Sequence, residues 1–117
     1  MPLLYEKAKR MAERRTEVSK KVSDILPKTE ILAQLAEEAS ELAQAALKLR
    51  RALDGTNPTP KSVEECKKAF EEEYADVVNC IIALDLDDEV FDRMQKMQHE
   101  KEVRWLSRLE AKENKDG

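Results

Sequence analysis

Between positions 63 and 84 the chain returns to an apolar residue at steps of three and four: Val63, Cys66, Phe70, Val77, Cys80 and Leu84. That spacing lays them along one stripe of an α-helix; a half-buried strand would alternate with a period of two. One position breaks the stripe. Glu73, inside EEEYADVVNC, stands where an apolar side chain is due. The preceding periodic segment has the same irregularity: Ile31, Leu35, Leu42, Ala45 and Leu49 make a stripe, and Glu38 lies on it. Each helix must bury its stripe against a partner, and each carries a carboxylate into that contact.

The punctuation supports long helices. The 117 residues include only 2 Gly and 4 Pro, and 39% are charged, a composition suited to helices joined by few turns. A first helix is expected from about Leu3 to Ser23, with the stripe Leu4, Ala8, Met11, Val18, Val22 and Ile25 interrupted by Arg15, whose stem can snorkel. Pro27 ends that region. A second helix is expected from Thr29, read as its N-cap, to about Leu53, stopped by Gly55. TNPTP, 56–60, reads as a loop. Ser62 and Glu65 have the spacing of a capping box and open a third helix that lasts to about Leu84. Asp85 to Asp88 form a turn, with Asp87 the cap of a fourth helix running to about Ala111 and a polar tail, 112–117, expected to fray. With no alternating pattern, the expected architecture is all-α: a four-helix bundle forming a single domain over 1–117. The aromatics are 1 Trp, 2 Tyr and 2 Phe, so the core is mainly aliphatic and thin, and self-association would enlarge it.

Charge and cysteine usage narrow the setting. A formal net charge of −4 argues against nucleic-acid binding, which needs a basic surface for the phosphate backbone. No apolar run approaches the roughly 18 residues of a membrane span, and MPLLYEKAKR lacks the apolar stretch of a secretory signal. Cys66 and Cys80 lie fourteen positions apart on one predicted helix, about 21 Å of axial rise, too far for a disulfide. They read as small core residues of a soluble cytoplasmic protein.

The two acids on the stripes each have an acidic companion three residues on: Glu41 follows Glu38, and Asp76 follows Glu73. Such pairs project from neighbouring points of a helix face. If the two helices pack face to face, four carboxylates converge, and burying them uncompensated costs on the order of several kcal/mol per ion. One relief is a buried salt bridge, with Arg15 the available cation. The repetition of the same pair on both helices favours a metal, and oxygen-only ligands favour Mg²⁺, with Mn²⁺ as a substitute. A di-iron carboxylate centre needs Glu-x-x-His on two helices; His99 is the only histidine and Lys96 stands three residues before it, so that reading fails. On the fourth helix, Val90, Met94 and Met97 begin a stripe that Lys101, Arg104 and Arg108 continue, beside Trp105. Three cations in register look like an anion clamp, and carboxylates for a metal together with cations suggest a polyphosphate ligand.

These residues resemble a known family. LAEEASELAQAALKLRR contains E-x-x-E as Glu38 and Glu41, preceded by Glu37, and EYADVVN contains E-x-x-D as Glu73 and Asp76. Together they look like the signature of the MazG-like, all-α nucleoside triphosphate pyrophosphohydrolases. KEVRWLSR, 101–108, is similar to a basic segment of several MazG-like proteins. The resemblance spans about 31–109 and departs from the pattern in one respect: positions 42–72, a gap of 31 residues, are long for it, and the TNPTP loop would absorb the excess. The resemblance implies that Glu38, Glu41, Glu73 and Asp76 hold Mg²⁺. It implies hydrolysis of an NTP or dNTP to the monophosphate and pyrophosphate. On this reading Glu37 or Glu41 orients the attacking water, and Lys101, Arg104, Arg108 and Asn79 contact substrate. The family also suggests a homodimer or a dimer of dimers. The competing expectations are a non-catalytic helical module that binds nucleotide or a partner on the same scaffold, and an antitoxin-like interaction protein, which the missing basic region disfavours.

Overall fold

The computed structural model describes residues 17–56 and 61–116. All regular structure among them is helical: α1 (Glu17–Ile25), α2 (Lys28–Asp54), α3 (Val63–Ala83) and α4 (Asp88–Asp116). The first part of the expected first helix, Arg15 included, and positions 57–60 of the TNPTP loop lie outside the described residues. No described helix is long and apolar enough to cross a membrane. The chain forms two compact units, and α1 to α3 belong to one of them (Arg15–Asp85), with α4 in the other.

In the first unit, α2 and α3 pack along their lengths and α1 packs on α3. The stripes that meet are the two seen in the sequence. Ile31 and Ala45 of α2 are buried, as are Cys66, Cys80 and Ala83 of α3 and Leu84 just after it. Leu35, Leu42 and Leu49, and Val63, Phe70 and Val77, are half-buried between them. The Ser23 hydroxyl of α1 donates to the Ala83 carbonyl oxygen at 2.8 Å, tying α1 to the end of α3.

Local chemistry sets the ends. Ser62 opens α3 with a full capping box: the Glu65 amide donates to Ser62 Oγ at 3.1 Å, and the Ser62 amide donates to Glu65 Oε1 at 3.3 Å. Gly55 closes α2 at φ 68, where its amide donates to the Arg51 carbonyl oxygen at 2.9 Å; a side chain would be strained in that left-handed conformation. Asp85, at φ 53, turns the chain after α3, a conformation that Asp tolerates better than most residues. Asp87 caps α4 by accepting the Val90 amide on Oδ1 at 2.9 Å.

Two boundaries differ from expectation. Pro27, not Thr29, occupies the N-cap position of α2: its carbonyl oxygen accepts the Glu30 and Ile31 amides at 3.0 and 3.1 Å, and Thr29 is already inside the helix. Proline lacks an N–H and has its φ fixed, so it can stand at a helix entrance without losing a bond. α4 extends past Ala111 to Asp116. Ala111, Lys112, Glu113 and Lys115 are good helix formers, and no Gly or Pro intervenes before Gly117.

Candidate metal centre

The acids on the stripes come together because α2 and α3 run antiparallel. Glu38 faces Glu73 and Asp76, and toward the other end of the pair Ala45 shares a cavity wall with Cys66 and Ala69. Glu38, Glu73 and Asp76 each offer an oxygen, and these oxygens lie within 4.8 Å of one another. Glu38 and Glu73 are half-buried, and Asp76 is exposed. The Oε2 atoms of Glu38 and Glu73 are buried and have no hydrogen-bond partner among the described residues. A buried, unsatisfied carboxylate oxygen is costly and rare in a folded protein.

The electrostatics have the same origin. Gln34 donates its side-chain amide to Glu38 Oε1 at 2.8 Å, which favours the ionised form. Partial burial and the charges of Glu41 and Asp76 outweigh that bond and hold the Glu38 carboxyl above its ordinary value of 4.5. Glu41 is not one of the three converging groups, but it interacts with Glu38 and Glu73. A hydrogen bond with the Glu73 carboxyl, then the charge of Glu73, then burial raise it above the same ordinary value. Burial, and then the charges of Glu38 and Asp76, push the neighbouring Cys80 thiol up.

The remaining candidates are more scattered. Glu37 and Asn79 are exposed on α2 and α3. Lys101, Arg104 and Arg108 lie on α4, all exposed. Lys101 and Arg108 line a groove of about 640 Å³ on that unit with Met94, Met97, Gln98, Glu102 and Trp105; Arg104 is not part of its lining. The sequence reading missed a second cavity, of about 420 Å³, that opens beside the carboxylates. Glu41, Gln44, Ala45 and Lys48 of α2 line it with Lys61, Cys66, Ala69 and Glu73. Lys48 and Lys61 lie off both apolar stripes, so in the sequence they look like solvated surface; only the antiparallel pairing brings them to one groove. Comparison with family models, with curated proteins and with solved structures gives no match.

Proposed function

We propose that the protein is a Mg²⁺-dependent nucleoside triphosphate pyrophosphohydrolase on a MazG-like four-helix scaffold, cleaving an NTP or dNTP to the monophosphate and pyrophosphate. One observation supports this above the others: two facing helices each bury a carboxylate oxygen without a hydrogen-bond partner, beside a third carboxylate. A scaffold that only packed helices would gain from apolar residues at Glu38 and Glu73. The donor set fits a hard cation, being all oxygen; burial and then the charges of Glu41 and Asp76 raise Glu38, and a divalent ion relieves that repulsion. Mn²⁺ shares that preference.

When bound, Mg²⁺ offsets phosphate charge and lowers the pKa of a coordinated water. Glu38, Glu73 and Asp76 would hold it, with Glu41 the fourth carboxylate assigned to it from the sequence pattern. Glu41 and the exposed Glu37 are assigned to orienting the attacking water and accepting its proton. Attack at the α-phosphorus breaks its bond to the oxygen bridging to the β-phosphate, and pyrophosphate leaves. Asn79 and the α4 cations Lys101, Arg104 and Arg108 are assigned to substrate contacts from the sequence pattern.

We also assign a homo-oligomeric state, a dimer or a dimer of dimers. Leu32 and Leu47 on α2 and Tyr74 on α3 are 52%, 51% and 57% exposed, which leaves apolar surface for another copy to cover. The two free, buried thiols, Cys66 and Cys80, suit a reducing, cytoplasmic setting.

The test is a panel of NTPs and dNTPs with Mg²⁺, reading monophosphate and pyrophosphate. The expected outcome is equimolar release of both from at least one nucleotide. No turnover by demonstrably folded protein overturns the enzymatic reading, and if metal still binds, it leaves the non-catalytic module in its place. Orthophosphate as the first product would place attack at the γ-phosphorus and overturn the reaction assignment.

A further inference from the structure

We propose that the cavity beside the carboxylates is an anion subsite, in which Lys48 and Lys61 hold the pyrophosphate portion of the substrate. The inference rests on the pyrophosphohydrolase reading and adds the direction in which the nucleotide lies. The observation behind it is a charge gradient along one groove. Down α2 the residues facing it run Glu41, Gln44, Ala45, Lys48; up α3 in the opposite sense they run Glu73, Ala69, Cys66, and then Lys61 just before the helix. The groove is therefore acidic where it meets the converging carboxylates and basic at the end where α2 stops and α3 starts. Lys48 lies seven residues, about 10.5 Å of axial rise, beyond Glu41.

A ligand matching that gradient carries metal at one end and bare anionic charge at the other. A nucleoside triphosphate bound by its α-phosphate at the carboxylates, with its β- and γ-phosphates toward the lysines, has that distribution. Lysine suits the task, since its three donors around a compact charge meet phosphate oxygens without demanding one orientation. Gln44 adds a neutral donor. The wall between the two ends consists of Ala45, Cys66 and Ala69. These short side chains leave the room that the phosphates need. The base and sugar then extend from the acidic end, away from the lysines.

Binding of inorganic pyrophosphate and of a nucleoside monophosphate, each titrated calorimetrically in the presence of Mn²⁺, tests the proposal. Mn²⁺ is also titrated alone. Lys48→Ala and Lys61→Ala are each expected to weaken pyrophosphate about tenfold, with Lys48→Arg restoring most of the loss. Affinity for Mn²⁺ alone and for the monophosphate should change less than about twofold. Both lysines are exposed, so the alanine variants leave the core intact, and their helicity checks this. Wild-type protein that binds Mn²⁺ but shows the same pyrophosphate affinity as the variants overturns the subsite and leaves the metal centre standing. Loss of monophosphate binding with pyrophosphate binding unchanged reverses the direction of the substrate and likewise overturns the proposal. Failure of wild-type protein to bind Mn²⁺ overturns the metal centre, and the subsite with it.

Discussion

The α2–α3 pair and α4 are built from the same kinds of residue and are held by different forces. In the pair, two apolar stripes face each other, and Ile31, Ala45, Cys66 and Cys80 are buried between them. Along α4 the apolar stripe gives way to Lys101, Arg104 and Arg108, and no described side chain of its 29 residues is buried. Trp105 is 62% exposed. One local contact along α4 joins His99 and Glu102, 3.9 Å apart at i, i+3 and both exposed. A periodic pattern becomes core only where a second pattern meets it. The contrast also locates the costly chemistry: the acids placed inward at Glu38 and Glu73 can be kept there only by a pair whose other contacts outweigh them.

The largest expected effect separates the two regions by activity. On the proposed function, Glu38→Gln and Glu73→Gln should each lower turnover roughly 10³-fold, by weakening the hold on the metal that would offset phosphate charge. Far-UV circular dichroism should be unchanged. Lys101→Ala on α4 should cost about tenfold, mostly in KM. Steady-state kinetics on the preferred nucleotide decides. A loss at Lys101 as complete as that at Glu73 would erase the proposed difference between the two regions.

Stability should divide along the same line. Ile31 is 3% exposed, and Ile31→Ala should cost about 2–5 kcal/mol in denaturant unfolding, from lost transfer energy and the cavity left behind. Leu106 is 57% exposed, and Leu106→Ala should stay within about 0.5 kcal/mol. Equal costs would show that α4 is as much a part of the core as α2.

Metal and pH probe the acids directly. Mg²⁺ at about 100 times its dissociation constant should stabilise wild-type protein by about 2.7 kcal/mol and leave Glu73→Gln nearly unmoved. In chelator the pH dependence has a definite sign. Glu38 and Glu41 are held above 4.5 in the folded protein, so the folded state binds more protons than the unfolded one. The stability they contribute is fully present below the unfolded value and is lost as pH rises through their raised folded values. Asp54 behaves oppositely. Hydrogen bonds from Thr56 lower it below 3.8, so its contribution is present above that value and is lost only as pH falls through the lowered one. Metal-free protein should therefore lose stability between the ordinary glutamate range and neutrality, and Mg²⁺ should flatten the decline. Melting temperatures across that range, with and without Mg²⁺, check both. A metal-free stability that rises through the window would contradict the raised carboxyls of Glu38 and Glu41.

What the sequence made legible follows the same contrast. The stripes through Glu38 and Glu73, the Ser62 capping box, the Gly55 stop and the Asp87 cap are all local or periodic signals, and each is present in the structure. The meeting of Lys48 and Lys61 in one groove is not legible in the sequence, because their position depends on pairing between helices, which no spacing within one helix encodes. The C-terminal boundary differs from expectation for another reason: polarity at Glu113 to Lys115 suggests a tail, but helix propensity carries α4 to Asp116. At Pro27 the preference for a side-chain cap yielded to a residue that needs none.

The smallest expected effect tests how far a local cap is amplified by what it is attached to. Ser62 and Asp87 make nearly the same bond, Glu65 amide to Ser62 Oγ at 3.1 Å and Val90 amide to Asp87 Oδ1 at 2.9 Å. Alanine at either position leaves an orphan amide at a helix start. The first turn of α3 carries Val63 and Cys66 into the α2 contact, so Ser62→Ala should lower global stability by about 1 kcal/mol. The first turn of α4 holds no buried side chain. Asp87→Ala should therefore speed amide exchange over the first α4 turn while changing the unfolding midpoint by less than about 0.5 kcal/mol. A cap depends on its bond for geometry and on the packing behind it for its effect on the whole chain. Equal global costs for the two substitutions would mean that α4 unfolds together with the α2–α3 pair, and the difference drawn between them would then be one of burial alone.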